Sequence, residues 1–259
     1  MKNNEEFISI LITNYNKSKF LKKSLYSLKK QNYKNFEIII FDDCSTDNSL
    51  EIIKKFKKIN LITNKKKKFI SPALNQINGI LKCFKKSKGK IICLMDADDY
   101  FKKDKLKLLN IFFGKNENIK SVYNFPKTFG THFKFKNKKS NKIWPTIFPT
   151  SCLTFRREYF LKFINFVKKK SFPNLEIDAR LTIFFKFYYN EYNILKKQLT
   201  SYNFDNNGIT SNVIQFSRLW WLRRYQAYNY MYLINKVKKN KINKSLGYFL
   251  TKIINNILN

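Results

Sequence analysis

The sequence predicts an α/β protein: a mostly parallel central sheet flanked by helices, with a C-terminal helical extension. Three observations carry this reading. Short apolar runs alternate with helix-period segments three times before residue 90, the pattern of strands joined by right-handed helical crossovers. Three of the runs end in polar clusters, Thr13-Asn14-Tyr15-Asn16, Asp42-Asp43 and Asp96 to Asp99. The run Ile91-Ile92-Cys93-Leu94-Met95, too short for a helix, reads as a strand buried on both faces. Residues 1–212 form the main domain and residues 213–259 the extension.

Phe7 to Thr13 is β-branched and apolar, a first strand closed by the Asn14-Tyr15-Asn16 turn. Ser18 to Lys30 sets Phe20, Leu21, Leu25 and Leu28 on one helical face with lysines opposite. Glu37 to Phe41 is a second strand, and Ser45, Thr46 or Asp47 caps a following helix whose Leu50, Ile53 and Phe56 share a face. Asn60 to Thr63 is a short third strand; Lys65 to Lys68 is a charged loop. A helix starts at Pro72 and runs to about Lys86, with Gly89 breaking the chain before the central strand. Lys103 to Gly114 is an amphipathic helix. Beyond it, Ser121 to Asn124, Thr131 to Phe135, Thr150 to Phe155 and Tyr192 to Phe204 read as strands, and Lys136 to Lys142 as a basic loop. Helices are expected from about Glu158, from the Leu175 to Leu181 segment, over Phe216 to Val237 and over Ser245 to Leu258. Asp205 to Ser211 is a loop placed to close over a ligand.

Composition narrows the function classes. The chain has 52 Lys and Arg against 17 Asp and Glu, a formal charge of +35. Such a surface attracts an anionic partner: lipid, nucleic acid or polyanionic glycan. The lysines are spread along the whole chain and accompany no nucleic-acid-binding motif, so no specific nucleic acid is expected. AT-rich coding explains many of the lysines but not the scarcity of acids. Four cysteines without paired or metal-type spacing (Cys44, Cys83, Cys93, Cys152) read as reduced thiols of a cytosolic protein. The single His132 excludes His-rich metal sites. Neither a signal peptide nor a transmembrane run is expected, and with 6 Gly there is no glycine-rich phosphate cradle.

Three carboxylates at one strand end read either as a polar turn whose acids cap the next helix or, in so basic a chain, as a ligand site. Residues two apart on an extended segment point the same way, so Asp96 and Asp98 can converge on one ligand. Oxygen ligands on an open rim suit Mg²⁺ or Mn²⁺ completed by water or substrate phosphates. In a parallel sheet, ligands bind outside the carboxyl ends of the strands, where all three polar clusters fall.

Ser9 to Asn16, Asp42 to Asp47 and Leu94 to Asp99, in this order and spacing over roughly residues 7–115, resemble the family 2 glycosyltransferases of GT-A fold. The resemblance implies a donor-binding turn of Thr13, Asn14, Tyr15 and Asn16, with Thr13 and Tyr15 lining the nucleotide pocket. It implies that Asp42, alone or with Asp43, recognises the base and that Asp96 contacts ribose beside Ala97. Asp98, with Asp96, would hold the divalent cation against the donor diphosphate. Cys44 stands where relatives usually carry a small residue, which is expected to narrow the pocket without abolishing it. Residues 1–115 become the nucleotide-sugar half and 116–212 the acceptor half.

Glu176 and Asp178 open a helix, where acids are favoured by the helix dipole alone. The segment also resembles the family's second acidic motif, which supplies the base in inverting members. Asp178 is the first choice and Glu176 the reserve. The aromatic and Arg-rich stretch Phe216 to Val237 reads first as core or interface; aromatics mixed with Arg and Lys are also the pattern of a helix at a lipid headgroup layer, which the amphipathic tail Ser245 to Leu258 would share.

The resulting expectation is an inverting, metal-dependent glycosyltransferase using a nucleotide sugar, a UDP-sugar first. Its acceptor would be a glycan or a lipid-linked sugar in surface-polysaccharide synthesis, on the cytoplasmic face of a membrane. Two alternatives remain: a sugar nucleotidyltransferase, which ordinarily needs a glycine-rich loop after the first strand, and a basic polyanion-binding protein on the same fold.

Overall fold

The computed structural model describes residues 5–129, 144–167, 171–191, 193–203, 208, 213–241 and 243–258. Strands β1 (Ile8–Asn14), β2 (Phe36–Asp42), β3 (Ile59–Thr63) and β4 (Ile91–Asp96) form a parallel half-sheet in the order β3-β2-β1-β4. The crossovers are α1 (Ser18–Lys29), α2 (Ser49–Lys54) and α3 (Pro72–Lys86). The side chain of Ser71 caps α3 by accepting from Leu74 N at 3.2 Å, with Pro72 in the first turn, where its missing N–H costs nothing. α2 ends at Lys54, so Phe56 lies beyond it, with its ring edge-on to Tyr26.

Gly89 is fixed by close approach: a Cβ there would lie 2.5 Å from the backbone nitrogen of Ser9. Its own N–H donates to Ser9 Oγ at 2.7 Å, tying the entry of β4 to β1.

The other half of the sheet is mixed. β5 (Tyr100–Phe101), α4 (Lys105–Gly114), β6 (Ser121–Phe129), β7 (Leu153–Arg156) and β8 (Ile194–Asn203) extend the order from β4 as β7-β6-β8-β5. β7 is antiparallel to β4 and to β6, β8 is parallel to β6, and β5 is antiparallel to β8. The strand expected over Thr150 to Phe155 begins as a 3₁₀ turn, Thr150–Cys152. Tertiary bonds hold Ser151 there: its carbonyl accepts from Lys105 Nζ at 2.5 Å and from Thr200 Oγ1 at 3.0 Å, and its hydroxyl accepts from Asp96 N at 2.8 Å. The expected strand Thr131 to Phe135, the loop Lys136 to Lys142 and, apart from Gly208, the loop Asp205 to Ser211 lie outside the described residues.

Alternation along the strands divides the core into two layers. Ile8, Ile10 and Ile12 of β1 join Ile91, Cys93 and Met95 of β4 against Leu21, Leu25 and Leu28 of α1 and Leu106, Leu109 and Phe113 of α4. Leu11, Ile92 and Leu94 face the opposite layer, built on α3, α5 (Arg157–Val167), α6 (Ile177–Tyr188) and α7 (Arg218–Val237). α7 contributes Tyr228, Tyr230, Met231 and Ile234 to that layer, with Tyr225 and Tyr232 packed against it half-buried. A last helix, α8 (Leu246–Leu258), packs on α7. Among the described residues no helix is long and apolar enough to cross a membrane.

Candidate active site

Strand register brings the polar clusters level. Asn14 pairs with Asp42 across β1 and β2, and Thr13 pairs with Asp96 across β1 and β4. Beyond these ends lies a cavity of about 510 Å³ lined by Thr13, Asn14, Tyr15, Asp43, Asp96, Ala97, Asp98, Glu176 and Asp178 from among the expected site residues. Lys17, Lys67, Gln76 and Tyr202 also line it. Asp42 and Asn16 do not.

Those two act behind the wall. Asp42 is fully buried. Its Oδ2 accepts from Asn14 Nδ2 at 2.7 Å and from Ser45 Oγ at 2.7 Å, while Oδ1 accepts from Ser45 N at 2.9 Å. Asn16, at φ 50°, accepts from Thr46 N at 2.8 Å and donates its backbone N–H to Ser45 Oγ at 2.9 Å. Asp47 joins the two helix starts, accepting from Ser18 N at 2.8 Å and from Ser49 N at 3.0 Å, and these bonds hold its carboxyl below the usual range despite partial burial. The result is a rigid double turn that leaves Asp43 facing the cavity, its Oδ1 accepting from Asn64 Nδ2 at 3.0 Å. Asn14 Oδ1 is buried without a partner. The Tyr15 ring stands at the rim with Lys67 Nζ 3.5 Å from its centroid. Cys44, at φ 63°, does not line the cavity; its thiol points to Asn64 O at 3.3 Å.

The acids after β4 converge by a different route from strand alternation. β4 ends at Asp96, and the chain turns at once, with Asp99 N donating to Asp96 O at 3.1 Å. This turn puts Asp96 and Asp98 on the cavity and directs Asp99 inward. Asp99 is fully buried and accepts from Asn203 N at 2.8 Å, which anchors the end of β8; burial and its two neighbours push its carboxyl well above the usual range. Asp96 Oδ1 accepts from Gln76 Nε2 at 2.9 Å, and burial, then Asp98 and Asp178, raise its pKa to about 7. Asp98 Oδ2 is paired with Lys17 Nζ at 2.8 Å.

The other wall is the start of α6. Asp178 Oδ1 accepts from Ala179 N at 2.7 Å. Its pKa rises to about 7, through burial first and Glu176 second. Glu176 is ion-paired with Arg223 of α7; burial still raises it, with Arg223 opposing. The sequence left these two open as candidate bases. Among the described residues Asp178 has no ion pair, while Glu176 is paired with Arg223. A second cavity of about 410 Å³, lined by Trp144, Leu175, Trp220, Arg223 and Arg224, adjoins Glu176 on its far side.

A model of the family described as glycosyl transferase family 2 matches residues 9–186. The chain belongs to this family. Poly(ribitol-phosphate) beta-N-acetylglucosaminyltransferase TarS of Staphylococcus aureus is 33% identical over 102 residues, 38% of this chain and 17% of TarS. The Escherichia coli enzyme WfaP, a UDP-Glc:alpha-D-GlcNAc-diphosphoundecaprenol beta-1,3-glucosyltransferase, is 38% identical over 96 residues, 37% of each chain. An uncharacterized Haemophilus influenzae glycosyltransferase is 34% identical over 119 residues, 44% of this chain and 35% of its own. The chain thus matches well under half the length of these curated relatives. The crystal structure of TarS 1–349 from S. aureus in complex with UDP-GlcNAc is similar at TM-score 0.64 and 20% identity, over 96% of this chain and 70% of that one. The Pyrobaculum calidifontis mannosyltransferase PcManGT in complex with GDP-Man and Mn²⁺ gives 0.54 and 12%, over 93% and 66%. These likenesses are of fold, and the fold is GT-A.

This family 2 glycosyltransferase presents a donor set suited to a hard cation. Among the described residues no group of three or more His, Cys, Asp or Glu is arranged to hold a metal by itself. Asp96 and Asp98 nevertheless offer two carboxylates on one cavity; burial first, and then the neighbouring Asp98 and Asp178, raise Asp96, and a cation would offset the second of these. Such a pair fits Mg²⁺ or Mn²⁺ whose remaining ligands are water and substrate phosphate. Gln76, Tyr202, Lys17 and Ser151 escaped the sequence reading. Tyr202 borders the acids closely enough that burial and all of Asp99, Asp96, Asp178 and Asp98 push its phenol up.

Proposed function

We propose that this glycosyltransferase transfers a sugar, with inversion, from a nucleoside-diphosphate sugar to a glycan or lipid-linked acceptor in surface-polysaccharide synthesis, on the cytoplasmic face of a membrane. A UDP-sugar is the favoured donor. The observation that carries the reading is the meeting of Asp96, Asp98 and Asp178 on one cavity whose far wall is the β1–β2 double turn. The names of TarS and WfaP, which specify sugar transfer to a cell-surface polymer and to a lipid diphosphate-linked sugar, and the UDP-GlcNAc complex of TarS support donor and pathway.

In this reading residues 1–115 bind the donor. Thr13, Tyr15 and Asp43 line the base subsite, and Asn14 Oδ1, which lacks a partner, accepts a donor hydroxyl or N–H. Asp42 and Asn16 hold that wall without touching donor. Asp96 and Ala97 face the ribose, and Asp98, with Asp96, would hold Mn²⁺ or Mg²⁺. The cation, when bound, neutralises charge developing on the departing nucleoside diphosphate. Lys17 then exchanges its ion pair with Asp98 for the phosphates. Asp178, poised near neutral pH, takes the proton of the attacking acceptor hydroxyl. Residues 116–212 and the Trp220–Arg224 groove present the acceptor, and Glu176, pinned by Arg223, fixes the start of α6.

Thermal-shift titration with UDP-, GDP-, dTDP- and CMP-sugars tests this, because a ligand of the native state raises apparent stability. Stabilisation by one nucleotide class, enhanced by Mn²⁺, is expected; no stabilisation by any of them overturns the reading.

A further inference from the structure

α8 has two unlike faces. Tyr248, Thr251 and Asn255 are buried against α7, with the Tyr248 ring 5.1 Å from that of Tyr232 and 5.8 Å from that of Tyr225. On the opposite face Leu246, Phe249, Leu250, Ile253 and Ile257 are 85%, 48%, 49%, 56% and 75% exposed. Their spacing makes one continuous apolar stripe along a helix about 20 Å long. Isolated exposed apolar residues are ordinary, but a stripe of five is not.

The surroundings of the stripe say what covers it. Residues 206–259 contain nine Lys and Arg and no acid. Lys236, Lys238, Lys239, Lys241 and Lys244 are exposed on the approach to α8, and Lys252 is exposed within it. An apolar face bordered by cations and too short to span a bilayer is the pattern of a helix lying in the headgroup layer of an anionic membrane. A second copy of the chain fits poorly, since pairing these faces would bring two lysine clusters of a +35 protein together. A nucleic acid would use the lysines but leave the stripe in water.

We propose that α8 docks the protein on an anionic lipid surface, its Leu246–Ile257 stripe immersed and its lysines on lipid phosphates. This does not depend on the donor chemistry proposed above, and donor-induced stabilisation serves as a control for a folded cavity.

Co-sedimentation with phosphatidylcholine vesicles, with and without phosphatidylglycerol, is the test. The wild-type protein is expected on the anionic vesicles and to be only partly released by high salt. Ile253→Asn with Ile257→Asn, both at exposed positions, should weaken retention about tenfold or more, the loss expected for withdrawing buried aliphatic side chains. Gln at positions 238, 239, 241 and 244 should reduce binding to that seen on neutral vesicles. The proposal is overturned if the wild-type protein is not retained, or if the double Ile variant binds as tightly as wild type, which would leave charge alone. It is also overturned if lipid-free protein is a dimer that the double variant dissolves.

Discussion

Asp178→Asn separates the stability of this fold from its chemistry. The carboxyl of Asp178 is raised from 3.8 to about 7 in the folded chain, chiefly by burial. A shift of about three units corresponds to at most ~4 kcal/mol of penalty on the ionised form. Water reaching this half-buried group from the cavity, and its coupling to Glu176, reduce the working figure to roughly 1–3 kcal/mol. The sign follows from the raised folded value. Relative to an uncharged side chain, the penalty is absent below the unfolded pKa near 4, grows between about 4 and 7, and is complete above 7. Asparagine keeps the acceptor for Ala179 N and removes the charge. The variant should therefore melt several degrees above wild type at pH 8 without metal or donor, and level with it near pH 4. Scanning calorimetry across that range measures the difference. A variant less stable than wild type at pH 8, or a gain independent of pH, would refute the burial argument. Activity should move the other way: donor stabilisation retained, transfer reduced by about 10²–10⁴.

The two adjacent aspartates after β2 should behave differently. Asp42→Ala strands buried donors of Asn14 and Ser45 and should cost about 2–4 kcal/mol by denaturant unfolding, whereas Asp43→Ala should leave stability nearly unchanged and weaken nucleotide binding. Equal effects on both measurements would place the two residues in one role. Cys44→Gly relieves a left-handed backbone at φ 63°, worth roughly 1 kcal/mol against a similar entropy cost; stability within about 1 kcal/mol of wild type and unchanged donor binding are expected, and a loss of donor binding would give the thiol a part in the site.

Local pattern made the parallel half legible. β1, β2 and β4 announce themselves as apolar runs closed by polar turns, and Pro72 marks the start of α3 to the residue. The acids stood out because the rest of the chain is so basic. What stayed hidden depends on contacts distant in sequence. The two-residue β5 exists only by pairing with β8. Ser151 is bent into a turn by Lys105, Thr200 and the end of β4. Nothing local distinguishes Gln76 from any other helix glutamine, or shows that Asp42 faces inward while Asp43 faces the cavity. Glu176 and Asp178 look alike in the sequence, and what sets them apart in the fold is the ion pair of Glu176 with Arg223, 47 residues further on. Asp96 and Asp98 line one cavity through a turn after β4, where the sequence pattern suggested a continued strand.

The central claim is that the acid-lined cavity is a metal-assisted nucleoside-diphosphate site, and calorimetric titration of UDP tests it most directly. Wild type and Asp98→Asn would each be titrated in Mn²⁺ and in EDTA. The account expects tight UDP binding by wild type in Mn²⁺, weakened at least about tenfold by EDTA, with Asp98→Asn giving the weak value in both. Equal UDP affinity in all four titrations would remove Asp98 and the cation from donor binding, and no binding of UDP, nor of GDP, dTDP or CMP in its place, would contradict the assignment of the cavity.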